Sequence, residues 1–536
     1  MRLSHLLLPL PLLALPAFAQ EGKTPPSAAP SPPAQEAPAT PAASPAAGAA
    51  STSGAAFSPP TPTVSSVAAA LATLEGDPLF AEAAVAVQVV NASTGEEVYA
   101  FGDDRQLVPA STMKLLTTAT ALRALGPDWR FPTWILHDGE LKDGVLDGNL
   151  YVKGQGDPSM VVERMWRMVL DVKLHGIKEI KGDVVFDDAY FADTTLIPGW
   201  DKEEDLESRP TYFAPLGALS VNYNIAAIVV RPGSASGQPA IAEFESPSPV
   251  VAIENHVTTG SRTSRMWFRV ESTVDEETGK IVTYKVTGNM PAEHAPDTIY
   301  RTIADPLGNY VGVYESISKE LGIKVKGKFR AGLTSPEAEL LFKTESDPLA
   351  EIVSTTSKHS NNFMAEQMLR AVGAERYGLP GTTAKGIRAV EEYLTALGIP
   401  KGDFRLVNGS GLSRDVLLRP SHVNAVLVDM WQSADLGPEF AASLSVGGRD
   451  GTLWSRFRED GLEGRVRGKT GTLNGVHCLA GYVRAMDDET YAFTFLVNDI
   501  EGALSRARKA HDRLVLTVAG VTGNIADSGE VDGGSP

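Results

Sequence analysis

Segments typical of β-strands lie near both ends of this chain, and they limit the folds that it can adopt. Each carries apolar side chains between turn residues, and the segments are 83–91, 96–102, 464–473, 477–485 and 490–498. Amphipathic helical patterns lie between and after them. The sequence therefore predicts an α+β domain whose antiparallel five-stranded sheet is built from both ends of the chain.

The middle of the chain has a different character. Residues 131–345 contain many short strand candidates, separated by Gly, Pro and Asp, and few long helices. A block of this kind between two halves of one sheet predicts a large β-rich insertion of one or two domains. The domain that carries the sheet is then discontinuous and comprises residues 64–130 and 346–520. A length of 536 residues agrees with more than one domain.

The first 19 residues have the pattern of a secretory signal peptide. A basic start is followed by an apolar run that ends in Ala17-Phe18-Ala19, so export to the periplasm or cell envelope is expected. A membrane anchor is the alternative, but the run is short and contains three prolines, so any membrane association is expected to be peripheral. Residues 20–63 are rich in Pro and Ala and predict a disordered linker, and residues 521–536 predict a flexible tail.

Charge and the content of Cys and His argue against several classes of function. The formal net charge is −18, so no basic surface for a nucleic acid is predicted. Cys478 is the only cysteine, which rules out an internal disulfide, and its strand context predicts a core residue. The nine histidines form no H-E-x-x-H motif, and no metal site is predicted. His359 is interpreted as a residue of helix packing or of support to a site.

Three short motifs follow one another along the chain: S-x-x-K at 111–114, S-x-N at 360–362 and K-T-G at 469–471. A serine hydroxyl is a weak nucleophile until a base takes its proton. Ser111 and Lys114 lie about one turn apart on one face of a predicted helix, at its N-terminal end. Lys114 can be that base if burial and neighbouring cations lower its pKa.

The other two motifs supply groups that complement this pair. Ser360 and Asn362 can relay a proton and hold a substrate amide. Lys469 adds a second positive charge that suits a substrate ending in a carboxylate. The backbone amides of Ser111 and Thr472 are candidates for an oxyanion hole.

Each motif alone is weak, because short patterns also arise by chance. A second S-x-x-K occurs at 316–319, but the apolar face of its predicted helix leaves Ser316 and Lys319 toward solvent. A second S-x-N at 220–222 precedes an apparent strand. K-T-G occurs once, at the start of an alternating strand ahead of the C-terminal helix, which is the context that the chemistry requires.

Longer segments extend the similarity to a known family. They are YVKGQGDPSM (151–160), GDVVFDDAYF (182–191), PLGALSVNYN (215–224), SKHSNNFMAEQML (357–369), NGSGLSR (408–414), GGRDGTLWSRF (447–457) and GKTGTLNGVHCLAGYV (468–483). With the three motifs, they make the chain, from about residue 65 to 520, resemble the class C low-molecular-mass penicillin-binding proteins, which are D-alanyl-D-alanine carboxypeptidase/endopeptidases. The resemblance implies a β-lactamase/transpeptidase-like domain that carries extra domains between the first two motifs. Asn408 departs from the family, where Asp is expected.

The resemblance also implies roles for single residues. Ser111 is the acylated nucleophile and Lys114 its general base, while Ser360 and Asn362 line the cleft. Lys469 assists proton transfer and binds the substrate carboxylate. Thr470, Gly471 and Thr472 contact substrate from their strand. The implied substrates are peptidoglycan stem peptides and cross-links, β-lactam antibiotics are expected to acylate the same serine, and no metal or organic cofactor is needed.

Two other functions remain open from the sequence. A β-lactamase could use the same residues, although the long stretch between Lys114 and Ser360 favours the penicillin-binding family. A non-catalytic wall-binding scaffold could use the β-rich insertion, although the intact set of motif residues argues against it.

Overall fold

The computed structural model describes residues 83–192, 197–200, 211–275, 281–458, 461–500 and 504–520. The predicted signal peptide, Pro/Ala-rich linker and C-terminal tail lie outside these ranges. No helix within them is long and apolar enough to span a bilayer.

The central sheet joins the two ends of the chain, as the sequence predicts. Its strands, numbered along the chain, are β1 (Ala84–Asn91), β2 (Glu97–Phe101), β18 (Ser445–Val446), β19 (Val466–Leu473), β20 (Val476–Arg484) and β21 (Thr490–Asn498). The order is β18-β19-β20-β21-β1-β2, and every pair is antiparallel. The five long strands are the predicted ones, and the two-residue β18 extends the edge next to β19.

The residues between the halves of this sheet form four smaller sheets. One comprises β3 (Pro132–His137), β6 (Leu150–Gly154), β8 (Val184–Asp187), β16 (Phe329–Ala331) and β17 (Glu339–Glu345). The second comprises β4 (Glu140–Lys142), β5 (Val145–Asp147), β7 (Glu179–Ile180) and β15 (Lys324–Val325). The two three-stranded sheets comprise β9 (Ile225–Arg231), β10 (Ile241–Phe244) and β14 (Asp297–Thr302), and β11 (Ala252–Gly260), β12 (Trp267–Val274) and β13 (Ile281–Pro291).

The first and last strands of this β-rich block pair with each other. β17 runs antiparallel to β3, with Glu345 opposite Pro132, so the chain leaves and returns at neighbouring points. This pairing coincides with the ends of the predicted insertion at 131 and 345. The division into domains itself stays a prediction.

Nine α-helices lie within the described ranges. They are α1 (Met113–Leu125), α2 (Val162–Leu174), α3 (Pro306–Glu320), α4 (Leu349–Lys358), α5 (Asn362–Tyr377), α6 (Thr383–Ala396), α7 (Pro420–Gln432), α8 (Gly437–Ser443) and α9 (Leu504–Val518). α1 is buried on almost every side from Met113 to Leu122, because α5, α6 and α7 pack around it.

The two faces of the central sheet are covered by different helices. Leu479 of β20 packs with Leu514 and Val515 of α9, whereas Ala480 and Tyr482 pack into the larger cluster that contains α1 and α5. This alternation follows from the two-residue period of a strand. Cys478 is fully buried, as predicted, and burial raises the pKa of its thiol to about 12.

A pair of buried histidines lies between the sheet and α9. The Nδ1 atoms of His477 and His511 are 3.2 Å apart, so one imidazole donates and the other accepts. Burial and the nearby charges of Arg456 and Arg508 lower the pKa of His477 to about 4, and burial lowers that of His511 as well. The folded protein therefore keeps both rings neutral in weak acid.

This pair predicts a loss of stability in acid. An unfolded histidine binds a proton near pH 6.5, so between about pH 6.5 and about pH 4 the unfolded state holds more protons and the free energy of unfolding falls as pH is lowered. His477 alone accounts for roughly 3 kcal/mol. Urea unfolding at pH 7.5 and pH 4.5 measures the loss, which should shrink in a His477→Gln/His511→Gln variant and persist in the exposed-site control His294→Gln. An equal loss in the double variant contradicts this assignment.

Candidate active site

Ser111 lies in a tight turn immediately before α1. The turn is a 3₁₀ helix over Ala110–Thr112, and the Thr112 hydroxyl donates to the Pro109 carbonyl at 2.7 Å. Ala110 has φ of 46°, in the left-handed region that a residue with a side chain rarely adopts. This conformation turns the chain sharply into α1, and Ser111 stays partly exposed at the helix start, as predicted.

Lys114 is fully buried one turn later, and its nitrogen is surrounded by three oxygen atoms. Nζ lies 2.9 Å from Ser111 Oγ, 2.6 Å from Asn362 Oδ1 and 2.7 Å from the Ser410 carbonyl oxygen. Burial, and then the charge of Lys469, hold the pKa of Lys114 well below that of an exposed lysine. A neutral amine suits this arrangement, because it donates to the amide and carbonyl oxygens and accepts the proton of the serine hydroxyl.

The S-x-N motif joins the end of α4 to the start of α5. Ser360 has φ of 55°, and Asn361 caps α5 by accepting from the Met364 amide at 3.0 Å. The Asn362 Nδ2 donates to the Tyr212 carbonyl at 3.1 Å, which fixes its Oδ1 toward Lys114. The predicted pairing of this motif with the first is therefore present in the structure.

Lys469 is a second fully buried lysine, on β19. Its Nζ donates to Ser360 Oγ and to the Thr470 carbonyl, each at 2.8 Å. Burial lowers its pKa to about 7. Thr470 is partly exposed and Thr472 exposed along the same strand. Lys469 contacts Ser360 and Lys114 contacts Asn362, so the first and third motifs are joined through the second.

Gly471 allows β19 to approach the serine turn closely. A Cβ at this position would lie 2.7 Å from the Pro109 carbonyl oxygen and 3.1 Å from the Ser111 nitrogen. Any side chain would therefore push the strand away from the turn. The contact brings the backbone of Ser111 next to that of residues 471 and 472. The oxyanion hole formed by the backbone amides of Ser111 and Thr472 stays a prediction. The close approach of these two backbone segments favours it.

The alternative motif matches lie away from this cluster. Ser316 donates to the Gly312 carbonyl within its own helix, and Lys319 is exposed and pairs with Glu315. The 220–222 match precedes β9, also as predicted. His359 is exposed at the end of α4, so the prediction that it packs between helices is wrong, while its alternative role of support to the site stays a prediction.

The loop of residues 408–411 supports Lys114 through the Ser410 carbonyl. Asn408 is buried; its Oδ1 accepts from the Gly411 amide at 2.9 Å, and its Nδ2 donates to the Pro198 carbonyl at 3.0 Å. A carboxylate could not make the second bond. The asparagine in place of the expected Asp therefore adds a hydrogen-bond donor that holds the loop in position.

Glu366 is a residue of the site that sequence reasoning missed. It is fully buried on α5, and its two carboxylate oxygens accept from the backbone amides of Gly409 at 3.1 Å and Ser410 at 2.7 Å. The carbonyl of Ser410 in turn accepts from Lys114. The charge of Glu366 raises the pKa of Lys114 against the larger effect of burial. One signal was available: Glu366 lies among buried residues of α5 and has Arg370 one turn later on the same helix.

These groups can transfer an acyl group from an amide to water. A serine at a helix N-terminus, a buried lysine within hydrogen-bonding distance and a second buried lysine for an anionic substrate define a serine enzyme that works without histidine. Within the described ranges, no group of three or more His, Cys, Asp or Glu side chains is placed to hold a metal ion.

Comparisons with known proteins agree with this class. A model of the D-Ala-D-Ala carboxypeptidase 3 (S13) family matches residues 67–518. The D-alanyl-D-alanine carboxypeptidase of Actinomadura sp. (strain R39) is 33% identical over 473 residues and 84% of each chain. The carboxypeptidase DacB of Haemophilus influenzae is 27% identical over 409 residues, or 75% of this chain and 83% of that one.

A solved structure shows the same architecture. The crystal structure of penicillin binding protein 4 (dacB) from Haemophilus influenzae matches with a TM-score of 0.70 and 26% identity, covering 83% of this chain and 98% of that one. This chain belongs to the D-Ala-D-Ala carboxypeptidase 3 (S13) family. The predicted fold class and the resemblance to class C low-molecular-mass penicillin-binding proteins are confirmed.

The position of Glu366 predicts a measurable change in a Glu366→Gln variant. The single oxygen of the glutamine side chain accepts from only one of the two backbone N–H groups, so the loop of residues 408–411 loses one of its supports. Lys114 is then held less firmly, and acylation by benzylpenicillin should slow roughly tenfold. Loss of the negative charge lowers the pKa of Lys114 further, so the rise of the acylation rate with pH should move to lower pH.

The measurement is the second-order acylation constant from pH 5 to pH 10. Glu375→Gln is the matched control, because Glu375 lies on the same helix and pairs with Tyr190, away from the site. A slower variant whose pH profile keeps its position would leave Glu366 with a structural role only.

Proposed function

We propose that this protein is a serine-type D-alanyl-D-alanine carboxypeptidase and endopeptidase that acts through an acyl-enzyme on Ser111. The observation that carries the proposal is the contact of 2.9 Å between Ser111 Oγ and the fully buried Lys114 Nζ. Family membership supports the same reaction class.

In the first half-reaction, Lys114 takes the proton of Ser111 as Oγ attacks the carbonyl carbon between two D-configured residues. The tetrahedral oxyanion is stabilised by the Ser111 and Thr472 amides. The C–N bond then breaks, and the leaving amine receives a proton through Lys114 or Ser360. A water molecule, activated by Lys114, releases the acyl group as a carboxylate and restores the serine hydroxyl.

The second lysine binds the end of the substrate that leaves. Lys469, which donates to Ser360 Oγ, and the hydroxyl of the next residue, Thr470, meet the carboxylate of the terminal D-alanine. The strand backbone at Gly471 and Thr472 aligns the peptide. Asn362 holds Lys114 and an amide of the substrate. No metal or organic cofactor takes part in these steps.

The substrates of this reaction are stem peptides and cross-links of peptidoglycan, which places the protein in the cell envelope. Residues 1–19 are then a signal peptide for export, most simply to the periplasm, and residues 20–63 a tether. The relative named penicillin binding protein 4 supports β-lactams as acylating inhibitors of Ser111.

Trapping with benzylpenicillin tests the proposal. Wild-type protein should gain the mass of the drug in a long-lived adduct, and Ser111→Ala should gain none and lose about 10⁴-fold or more of its carboxypeptidase rate. Ser316→Ala, in the second S-x-x-K match, is the control and should keep the adduct. Intact-mass spectrometry over time measures the adduct in the wild-type protein and in both variants.

Two outcomes contradict the proposal. Rapid destruction of the drug without a persistent adduct indicates a β-lactamase. Absence of both an adduct and hydrolysis, together with binding to peptidoglycan, indicates a scaffold.

A further inference from the structure

A cavity of about 660 Å³ adjoins the end of the active site that contains Lys469. Thr470 and Thr472 of β19 line it, as does His359, which directly precedes Ser360. The cavity therefore continues from the place where the leaving group of the proposed reaction is held. A single D-alanine would fill a small part of it, whereas its volume is in the range of sites that bind larger ligands.

Among the described residues that line this cavity, the charged ones are the cations Lys358, Arg456 and Arg508. Lys358 is 2.5 Å from Asp450 and Arg456 is 2.5 Å from Asp512, so each has a carboxylate partner. Arg508 is exposed and forms no salt bridge with another residue in the described ranges. Among the described residues, Arg508 is thus the cation of the cavity that has no carboxylate partner.

The lining of this cavity also has an apolar component. The indole of Trp454 is 57% exposed, although the guanidinium of Arg458 lies 4.8 Å from its centroid. A large exposed aromatic side chain beside a cationic cavity suits a ligand with both aliphatic carbons and carboxylates. A short acidic peptide has this composition.

We infer that this cavity binds the leaving half of a peptidoglycan cross-link, with Arg508 pairing with a carboxylate of the released stem peptide. The inference rests on the proposed function and specifies its endopeptidase branch. A cross-link leaves as an amine attached to a second acidic peptide, which extends past Lys469 into the cavity. A monomeric stem peptide loses only D-alanine, which fills a small part of the cavity.

The experiment compares two substrates in the full-length mature protein. kcat/KM is measured for a purified cross-linked peptide dimer and for the monomeric pentapeptide, in wild type, Arg508→Gln, Arg508→Glu and Arg508→Lys. The benzylpenicillin acylation rate of each variant reports whether its catalytic site is intact. Lys509→Gln is the matched control, because Lys509 is the next residue of α9, is exposed and does not line the cavity.

The expected result is a change in the ratio of the two kcat/KM values. Arg508→Gln should lower the dimer-to-monomer ratio about fivefold through a higher KM for the dimer, and Arg508→Glu should lower it further. Arg508→Lys should restore most of the ratio, and Lys509→Gln should not alter it.

Two results overturn the inference in distinguishable ways. An unchanged ratio in Arg508→Gln and Arg508→Glu, in a protein that cleaves both substrates, refutes the subsite and leaves the proposed function in place. Failure of the wild-type protein to react with penicillin or either peptide refutes the proposed function and the subsite together.

Discussion

The nitrogen of Lys114 is fully buried among three oxygen atoms, and the rest of the site is arranged around it. A buried ammonium without a carboxylate in contact is costly, so the site favours the neutral amine. That amine has two hydrogens for the oxygens of Asn362 and Ser410 and a lone pair for the proton of Ser111. The same burial that removes the positive charge of the lysine thus makes it a base for the serine.

Each partner of Lys114 comes from a different part of the chain, which explains what the fold contributes. The turn before α1 supplies the serine and α1 supplies the lysine, while α5 supplies Asn362 and the loop held by Glu366 supplies Ser410. The central sheet brings β19 against the serine turn, where only glycine fits at position 471. The first and last strands of the long β-rich block pair with each other, and the block also supports the site through the Tyr212 carbonyl, which accepts from Asn362.

The parts of the site that the sequence predicts are those whose geometry is local. Ser111 lies in the turn directly before the helix that carries Lys114, and three positions separate them, so their spacing alone predicts their contact. Alternating apolar residues predict the long strands. The two-residue β18 is too short to show a repeating pattern, so the sequence does not predict it. The junction of Ser360 with Lys469 follows from family resemblance, because no local rule joins positions so far apart in sequence.

The residues that sequence analysis missed act through contacts made only in the folded chain. Glu366 is one acidic residue in a helix, and its importance comes from two amides more than forty positions away. His359 has the sequence context of a packing residue, yet the end of α4 leaves it facing a cavity. Arg508 is one of several cations on an amphipathic helix, and only the neighbourhood of β19 distinguishes it from Lys509.

The most direct test of this account is an NMR titration of Lys114. Proteins labelled with ¹³C at lysine Cε, with Lys114→Met to assign the signal, report the pKa of the side chain in the free enzyme. We expect Lys114 to lose its proton well below pH 10.5, the value of an exposed lysine. A Lys114 signal that titrates at or above that value would contradict a neutral lysine as the base for Ser111.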